Sequence, residues 1–488
     1  MKNKLYKIIK NIFIFIWLIL LITMIFLEKY NYPNKINHLI PNIIIILLSL
    51  LVIIFIKKIK IKKISNKKFN ILLLVIFIIT FTIQMIITTN IYFKTGWDVE
   101  VIELYKDLFF KSNEVKNIYM TIYPNNILIL FIYVIINTIS KNYLIMLIFN
   151  NLIVSISSLL TCLTIKRITK NNVVSLLSYI FIIPLITLSP WNTITYTDTL
   201  GMLFPILVLF LYCNKNKKLH NWLLITIISF ISLLLKPTLF IIYIAIFIIE
   251  TINFINRLLL HKRTKEYKYI IISLIVGILS NLLISTGIKS YLNYEPFYNI
   301  ESFNILHYIA MGQNDKTNGI YNKEDVYETL YKGNDINKEK IISRITNRSF
   351  ISNIIFHLKK LMINYNDGTF AWTKEGDFFK EVKNNNSKLS ILLKDYYYPN
   401  GKQYKLFTQI TQIFWIIIIT SIFLLYFVKN NKRNIVIITT IIGITLFLVI
   451  FEARARYLYC YLPIYIVASI ISMYRFKKNN WILNNIIV

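Results

Sequence analysis

The sequence predicts an all-α polytopic membrane protein of about twelve transmembrane helices, with outer juxtamembrane helices and a small extracytoplasmic, mostly helical loop domain. Two observations carry that prediction. Hydrophobic residues make up 56% of the 488-residue chain, the mean hydropathy is +0.57, and long apolar runs recur from end to end. Lys and Arg, which give a formal net charge of +32, cluster in short loops between those runs. In a soluble protein such a charge would suggest nucleic acid. Here it is the positive-inside pattern, which orients a membrane protein and implies a lipid bilayer, with no nucleic acid as partner.

The elements follow in chain order, with charge as the ruler. The basic N-terminus is followed by an apolar run, 12–27, without a small-residue cleavage site, and reads as an uncleaved anchor with its start inside. Spans are expected at 11–28, 39–56 and 69–89, with the basic run 57–63 in the cytoplasm, which puts Asp98 outside. The next apolar run, 126–139, is only about 14 residues or ~21 Å of helix, against a hydrocarbon core of ~30 Å. If it crossed, the basic cluster 166–170 that ends the run 143–165 would lie outside. It therefore reads as a juxtamembrane or re-entrant helix on the outer face, with Pro124 at its start, where a missing N–H costs little. Further spans at 173–189, 200–213, 222–235, 238–255, 269–288, 406–428, 434–451 and 457–474 complete the crossings and leave both termini cytoplasmic.

Four units result: an N-terminal two-helix addition, 1–68; a transmembrane core, 69–288, whose first outer loop is 90–142; an extracytoplasmic loop domain, 289–405; and C-terminal transmembrane helices, 406–488. Within the long loop, 322–332 and 336–350 pattern as short amphipathic helices, and 384–387 as a surface turn. Acidic residues test the register, because they contribute little to topology. Of 23, 13 fall in 289–405 and five in 98–114; Glu28, Asp198 and Glu452 are also outside, leaving only Glu250 and Glu266 inside.

The polar residues near span ends converge on that outer face. Asp98 follows Thr95-Gly96-Trp97 at the end of a span and has two readings that can hold together. It caps a helix whose apolar face is Val99, Ile102, Tyr105, Leu108 and Phe109, or its carboxylate meets a reacting hydroxyl at the lipid–water boundary. Asp198 is likewise an N-cap or a second carboxylate that orients substrate or a divalent ion. Arg454 and Arg456 either snorkel to the interface or grip an anionic headgroup, since guanidinium holds phosphate oxygens in a fixed fork. Lys236, before Pro237, poses the same choice. His307 and His357 lack partners at ligand spacing, and Cys162, Cys213 and Cys460 have neither metal spacing nor an expected disulfide. No P-loop, GxSxG or HExxH is present, so ATP-driven transport and serine or zinc hydrolysis have no support.

In order, these features resemble the GT-C superfamily of integral-membrane glycosyltransferases, which includes protein O-mannosyltransferases and the lipid A aminoarabinose transferase. The matching pieces are a span ending in Trp97-Asp98, an outer helix, Tyr123-Pro124-Asn125-Asn126 before a short helix, the span ending Lys166-Arg167, the Asp198 loop, Lys236-Pro237-Thr238, and Arg454-Ala455-Arg456-Tyr457 with Pro463. The stretches 123–126 and 311–314 look like a branch found in Gram-positive bacteria. The resemblance implies Asp98 as general base, a polyprenyl-phosphate-linked sugar as donor, and Arg454, Arg456 and Lys236 as holders of its phosphate. Tyr123, Asn125, Asn126 and Asp198 join them as substrate-binding candidates. The acceptor is an extracytoplasmic glycan, lipid or protein, and transfer inverts the anomeric centre. No metal site is assigned, and a divalent cation is the only cofactor left open. Residues 1–60 are additional to the family core, and Pro124-Asn125 replaces a Pro-Pro pair found in many relatives. The competing readings are a lipid-linked oligosaccharide flippase or other transporter, and a polysaccharide polymerase; a shared cavity for Asp98 and Arg454 discriminates.

Overall fold

The computed structural model describes residues 2–26, 42–56, 63–214, 218–261, 265–374, 380–381 and 387–478. Glu28, the run 57–62 and most of the turn 384–387 lie outside the described residues. The chain is an assembly of helices: α1 (Lys2–Phe26), α2 (Asn42–Ile56), α3 (Asn66–Asn90), α4 (Asp98–Ser112), α5 (Ile118–Ile122), α6 (Ile127–Ile139) and α7 (Tyr143–Thr169). Then come α8 (Asn172–Leu176), α9 (Tyr179–Ile182), α10 (Thr197–Leu200), α11 (Leu203–Tyr212), α12 (Leu219–Leu235), α13 (Ile241–Leu258) and α14 (Lys265–Tyr291). The long loop supplies α15 (Ile305–Gly312), α16 (Lys323–Lys332), α17 (Ile336–Thr346), α18 (Phe350–Tyr365) and α19 (Lys388–Tyr397), and the chain closes with α20 (Tyr404–Ile422), α21 (Lys432–Ile450) and α22 (Arg456–Lys478). Two two-residue ladders, 93–94 with 380–381 and 115–116 with 294–295, tie loops together.

Among the described residues eight helices are long and apolar enough to cross a membrane, and five more apolar helices are shorter. The expected boundaries of the long ones hold to within a few residues, except that α1 begins at Lys2, nine residues before the expected start at 11, because its amphipathic basic first turns are helical too. The expected span 173–189 is broken, whereas the expected span 200–213 is matched by one of the shorter apolar helical stretches, 197–212. Pro184 falls in a π-turn, 183–187, Pro190 opens a 3₁₀ turn, 190–193, and α10 and α11 are separated at Gly201-Met202. A proline removes one ladder N–H and crowds the preceding turn, so a continuous helix is lost at Pro184 and Pro190.

Burial sorts the helices. In α22, 89% of the most apolar window is buried, against 17% in α14. Consequently α22 is the central helix, and its hydroxyls reach its neighbours: Tyr461 donates to the Thr238 carbonyl at 2.8 Å, and Ser472 faces both the Ser421 carbonyl and, within its own helix, that of Ser469, each at 2.7 Å. In contrast α14 and α3 expose rows of Ile and Leu, including Leu283 and Leu74, as helices facing lipid do.

The long loop departs from a free-standing outer domain. Helices α15 to α17 form a small polar unit around Asp325, which receives Arg344 at 2.6 Å, Lys340 at 3.1 Å and Asn314 at 2.9 Å. Residues 360–374, however, are buried in the helical body. Gln412 joins this segment through Asn366 Oδ1 at 3.0 Å and the Gly368 amide at 2.7 Å, and Trp415 donates to the Tyr365 carbonyl at 2.8 Å.

Candidate active site

Asp98 is held where it is by the way the chain leaves α3. Ile91 is extended, the turn at Gly96 reverses the chain, and Trp97 occupies the N-cap position without any side-chain cap bond. Asp98 is the first helical residue of α4, a position where a carboxylate is favoured by the helix dipole. Its oxygens serve other groups. Tyr119 Oη donates to Oδ1 at 2.8 Å and Tyr196 Oη to Oδ2 at 2.9 Å. Burial, and then the Asp98 charge, push the Tyr119 phenol well above its ordinary range, so it stays a donor. Of the apolar face expected for α4, Val99, Ile102 and Phe109 are buried, whereas Leu108 points outward.

Each tyrosine is placed by a short local structure. Asn117 caps α5 by accepting from the Met120 amide at 2.7 Å, which turns Tyr119 toward Asp98. Pro124 starts the 3₁₀ turn 124–126, and Asn126 Nδ2 donates back to Tyr119 Oη at 2.7 Å. Asn125 donates to Asn126 Oδ1 at 3.3 Å. Tyr123 does not bond Asp98; its ring sits 5.2 Å from that of Tyr119 and edge-on to Phe303. Tyr196 lies at the start of α10, its ring edge-to-face with Trp97 at 5.3 Å.

The basic residues come from two breaks between helices. Lys236 is extended, as the residue before a proline tends to be, and ends α12. The turn 451–455 separates α21 from α22 and delivers Glu452, Arg454 and Arg456. Arg454 Nε pairs with Glu452 at 2.8 Å. Arg456 lies between two carboxylates, 3.8 Å from Asp98 and 3.7 Å from Asp198, with its guanidinium 4.5 Å above the Trp97 ring. Lys236 pairs with Asp198 and sits 3.8 Å over the Tyr457 ring.

Seven of the eight residues singled out from the sequence line one cavity of about 450 Å³: Asp98, Tyr123, Asn125, Asn126, Lys236, Arg454 and Arg456. Asp198 is the exception. Its side chain is 1% exposed, against 32% for Asp98, so it lies beneath the cavity floor, where it holds Lys236 and Arg456. It is also not the N-cap of α10, a position taken by Tyr196. A carboxylate so placed orders two cations and does not touch a molecule in the cavity. The hydrophobic runs gave no notice of Tyr119, Tyr196, Tyr308 and Tyr321, which also line it; the one local signal was the spacing of Asn117, Tyr119 and Tyr123 around the Pro124 turn. Among the described residues no group of three or more His, Cys, Asp or Glu gathers.

A junction outside the cavity fixes the 451–455 turn. The Phe451 carbonyl accepts from the buried Lys360 Nζ at 2.6 Å, Lys360 also reaches the Gly312 carbonyl at 2.5 Å, and the Ala453 amide donates to the Gly319 carbonyl at 2.7 Å. A Cβ on Gly312 would lie 2.5 Å from the Phe451 carbonyl group, so no larger residue fits that approach. Gln313 and Asn314 then anchor the polar unit, to Arg348 and Asp325 respectively.

A many-helix body with lipid-facing flanks and a polar cavity at its helix ends defines an integral membrane protein. The chain belongs to the family described as conserved hypothetical integral membrane protein, whose model matches residues 1–476. No curated protein and no solved structure matches the chain.

Proposed function

We propose that the protein is a membrane glycosyltransferase that moves a sugar from a polyprenyl-phosphate-linked donor to an acceptor hydroxyl on the outer side of the membrane. The observation that carries this reading is the shared cavity: a partly accessible Asp98 carboxylate held by two phenols, with Arg456 at 3.8 Å and Arg454 and Lys236 in the same walls. Asp98 takes the proton of the acceptor hydroxyl as its oxygen attacks the anomeric carbon, a contribution of ~10²–10⁴-fold for a well-placed base. The bond from that carbon to the donor phosphate breaks, the polyprenyl phosphate leaves with the electron pair, and the anomeric centre inverts. Arg454 stands in the cavity wall, and a guanidinium there suits the growing phosphate charge. In this reading about twelve segments cross the bilayer, both termini are cytoplasmic, and Asp98 and Arg454 face outward.

The test is transfer by purified protein from a panel of polyprenyl-phosphate sugars, with Asp98→Asn beside the wild type. Asn keeps the size and removes the base, and the side chain caps nothing in the structure, so folding is expected to persist. Activity should fall by ~10²-fold or more. A well-expressed Asp98→Asn protein with most of its transfer intact rules the assignment out.

A further inference from the structure

A second cavity, of about 770 Å³, lies at the opposite end of the helical body. The 25 residues of α3 separate the two ends, about 37 Å of helix. Five cations line it, Lys63, Lys166, Arg167, Lys170 and Arg433, and no Asp or Glu does. Among the described residues none of the five forms an ion pair with a carboxylate.

Basic residues at one set of helix ends are what orientation in a membrane demands, but that rule counts charges and does not gather them into a hollow. Here two are pinned facing it. Lys166 Nζ lies 3.8 Å over the Phe69 ring; the Arg167 guanidinium lies 3.4 Å over the Phe210 ring and donates to the Phe210 carbonyl at 2.7 Å. Like charges held together without a counter-charge repel, and an anion in the hollow relieves that. Lys and Arg together suit a phosphate oxygen set. The wall formed by the start of α3 continues directly into a lipid-facing strip, Ile71, Leu74 and Ile78, each more than half exposed. A phosphate in the cavity therefore has apolar surface for acyl chains starting about 7 Å away along the same helix.

We propose that this cavity binds the phosphate of an anionic phospholipid headgroup, with the acyl chains lying along the Ile71, Leu74 and Ile78 face of α3. The assignment is independent of the chemistry at Asp98.

Native mass spectrometry of the full-length protein released from mixed phosphatidylglycerol and phosphatidylcholine micelles tests it, with inorganic phosphate as a competing probe. The wild type should retain phosphatidylglycerol over phosphatidylcholine. Lys170→Gln with Arg433→Gln should weaken that retention about 25-fold, taking each cation near an anionic lipid as about a fivefold factor. Lys4→Gln with Lys7→Gln removes two exposed cations of α1 that do not line the cavity and should leave retention unchanged. If the first pair does not fold, Lys63→Gln with Lys170→Gln, which changes two exposed side chains, is expected to act in the same direction. Equal retention by the wild type and the cavity variants, or equal loss in the α1 control, overturns the proposal. Inorganic phosphate that binds and displaces the lipid at equal concentration overturns the lipid assignment in favour of a soluble phosphate ligand.

Discussion

The Tyr196 hydroxyl donates to Asp98 Oδ2 at 2.9 Å across 98 residues of chain, and so joins the turn after α3 to the start of α10. With Tyr119 on the other oxygen, the carboxylate has one orientation instead of a choice of rotamers.

Removing either phenol should therefore loosen the base without touching the donor. Tyr119→Phe and Tyr196→Phe are each expected to lower kcat about tenfold with the donor KM nearly unchanged, because a hydrogen bond to a charged group is worth ~1.5–3 kcal/mol. A rise in KM at constant kcat would place the tyrosines on the substrate instead of on Asp98.

The two arginines should separate kinetically. Arg454, at the cavity wall, is expected to raise the donor KM about tenfold when changed to Ala. Arg456 is buried between Asp98 and Asp198, so Arg456→Ala should lower kcat as well. Wild-type donor kinetics in both variants and in the double variant would put the phosphate site elsewhere.

Asp198 should matter for stability more than Asp98 does. Asp198→Asn leaves Lys236 and Arg456 without the carboxylate that both face, and breaking a buried pair costs ~3–5 kcal/mol. Thermal unfolding in detergent should show a clear drop in Tm for Asp198→Asn and little for Asp98→Asn. Equal midpoints would mean that Asp198 does not hold the cations.

Gly312→Ala should disturb the site from outside it. The new methyl meets the Phe451 backbone at 2.5 Å, where the contact cannot be relieved by turning a side chain, and overpacking of this kind costs ~1–3 kcal/mol. Lower Tm together with a higher donor KM is expected, since the turn carrying Arg454 begins at Phe451. Unchanged values for both would show that the junction with Lys360 and Gly319 does not position that turn.

Orientation is open to direct labelling. Ser343 and Ser65 are both exposed, and the native cysteines are all buried, so single cysteines at either position report cleanly. A membrane-impermeant reagent applied to intact cells should label Ser343→Cys and not Ser65→Cys. The reverse pattern would invert the topology and place Asp98 in the cytoplasm.

What was legible in the sequence was whatever hydropathy and charge carry locally. The boundaries of α3, α7, α13, α14, α20 and α21 follow from apolar runs ended by basic or polar residues, because the bilayer imposes one length on every crossing. The grouping of Asp98, Lys236, Arg454 and Arg456 was legible too, since all four sit at helix ends that alternate in direction.

Tertiary packing alone decided what each of those residues faces. Asp98 and Asp198 look alike in sequence, each at the start of a helix with an aromatic residue one or two positions before it, yet one lines a cavity and the other lies under it. The difference arises because α22, buried on nearly all sides, brings Arg456 between them, and no pattern within either segment encodes that approach. The burial of 360–374 has the same origin. A polar segment reads as exposed until Asn42, Gln412 and Trp415, distant in the chain, supply the hydrogen bonds that water would otherwise give.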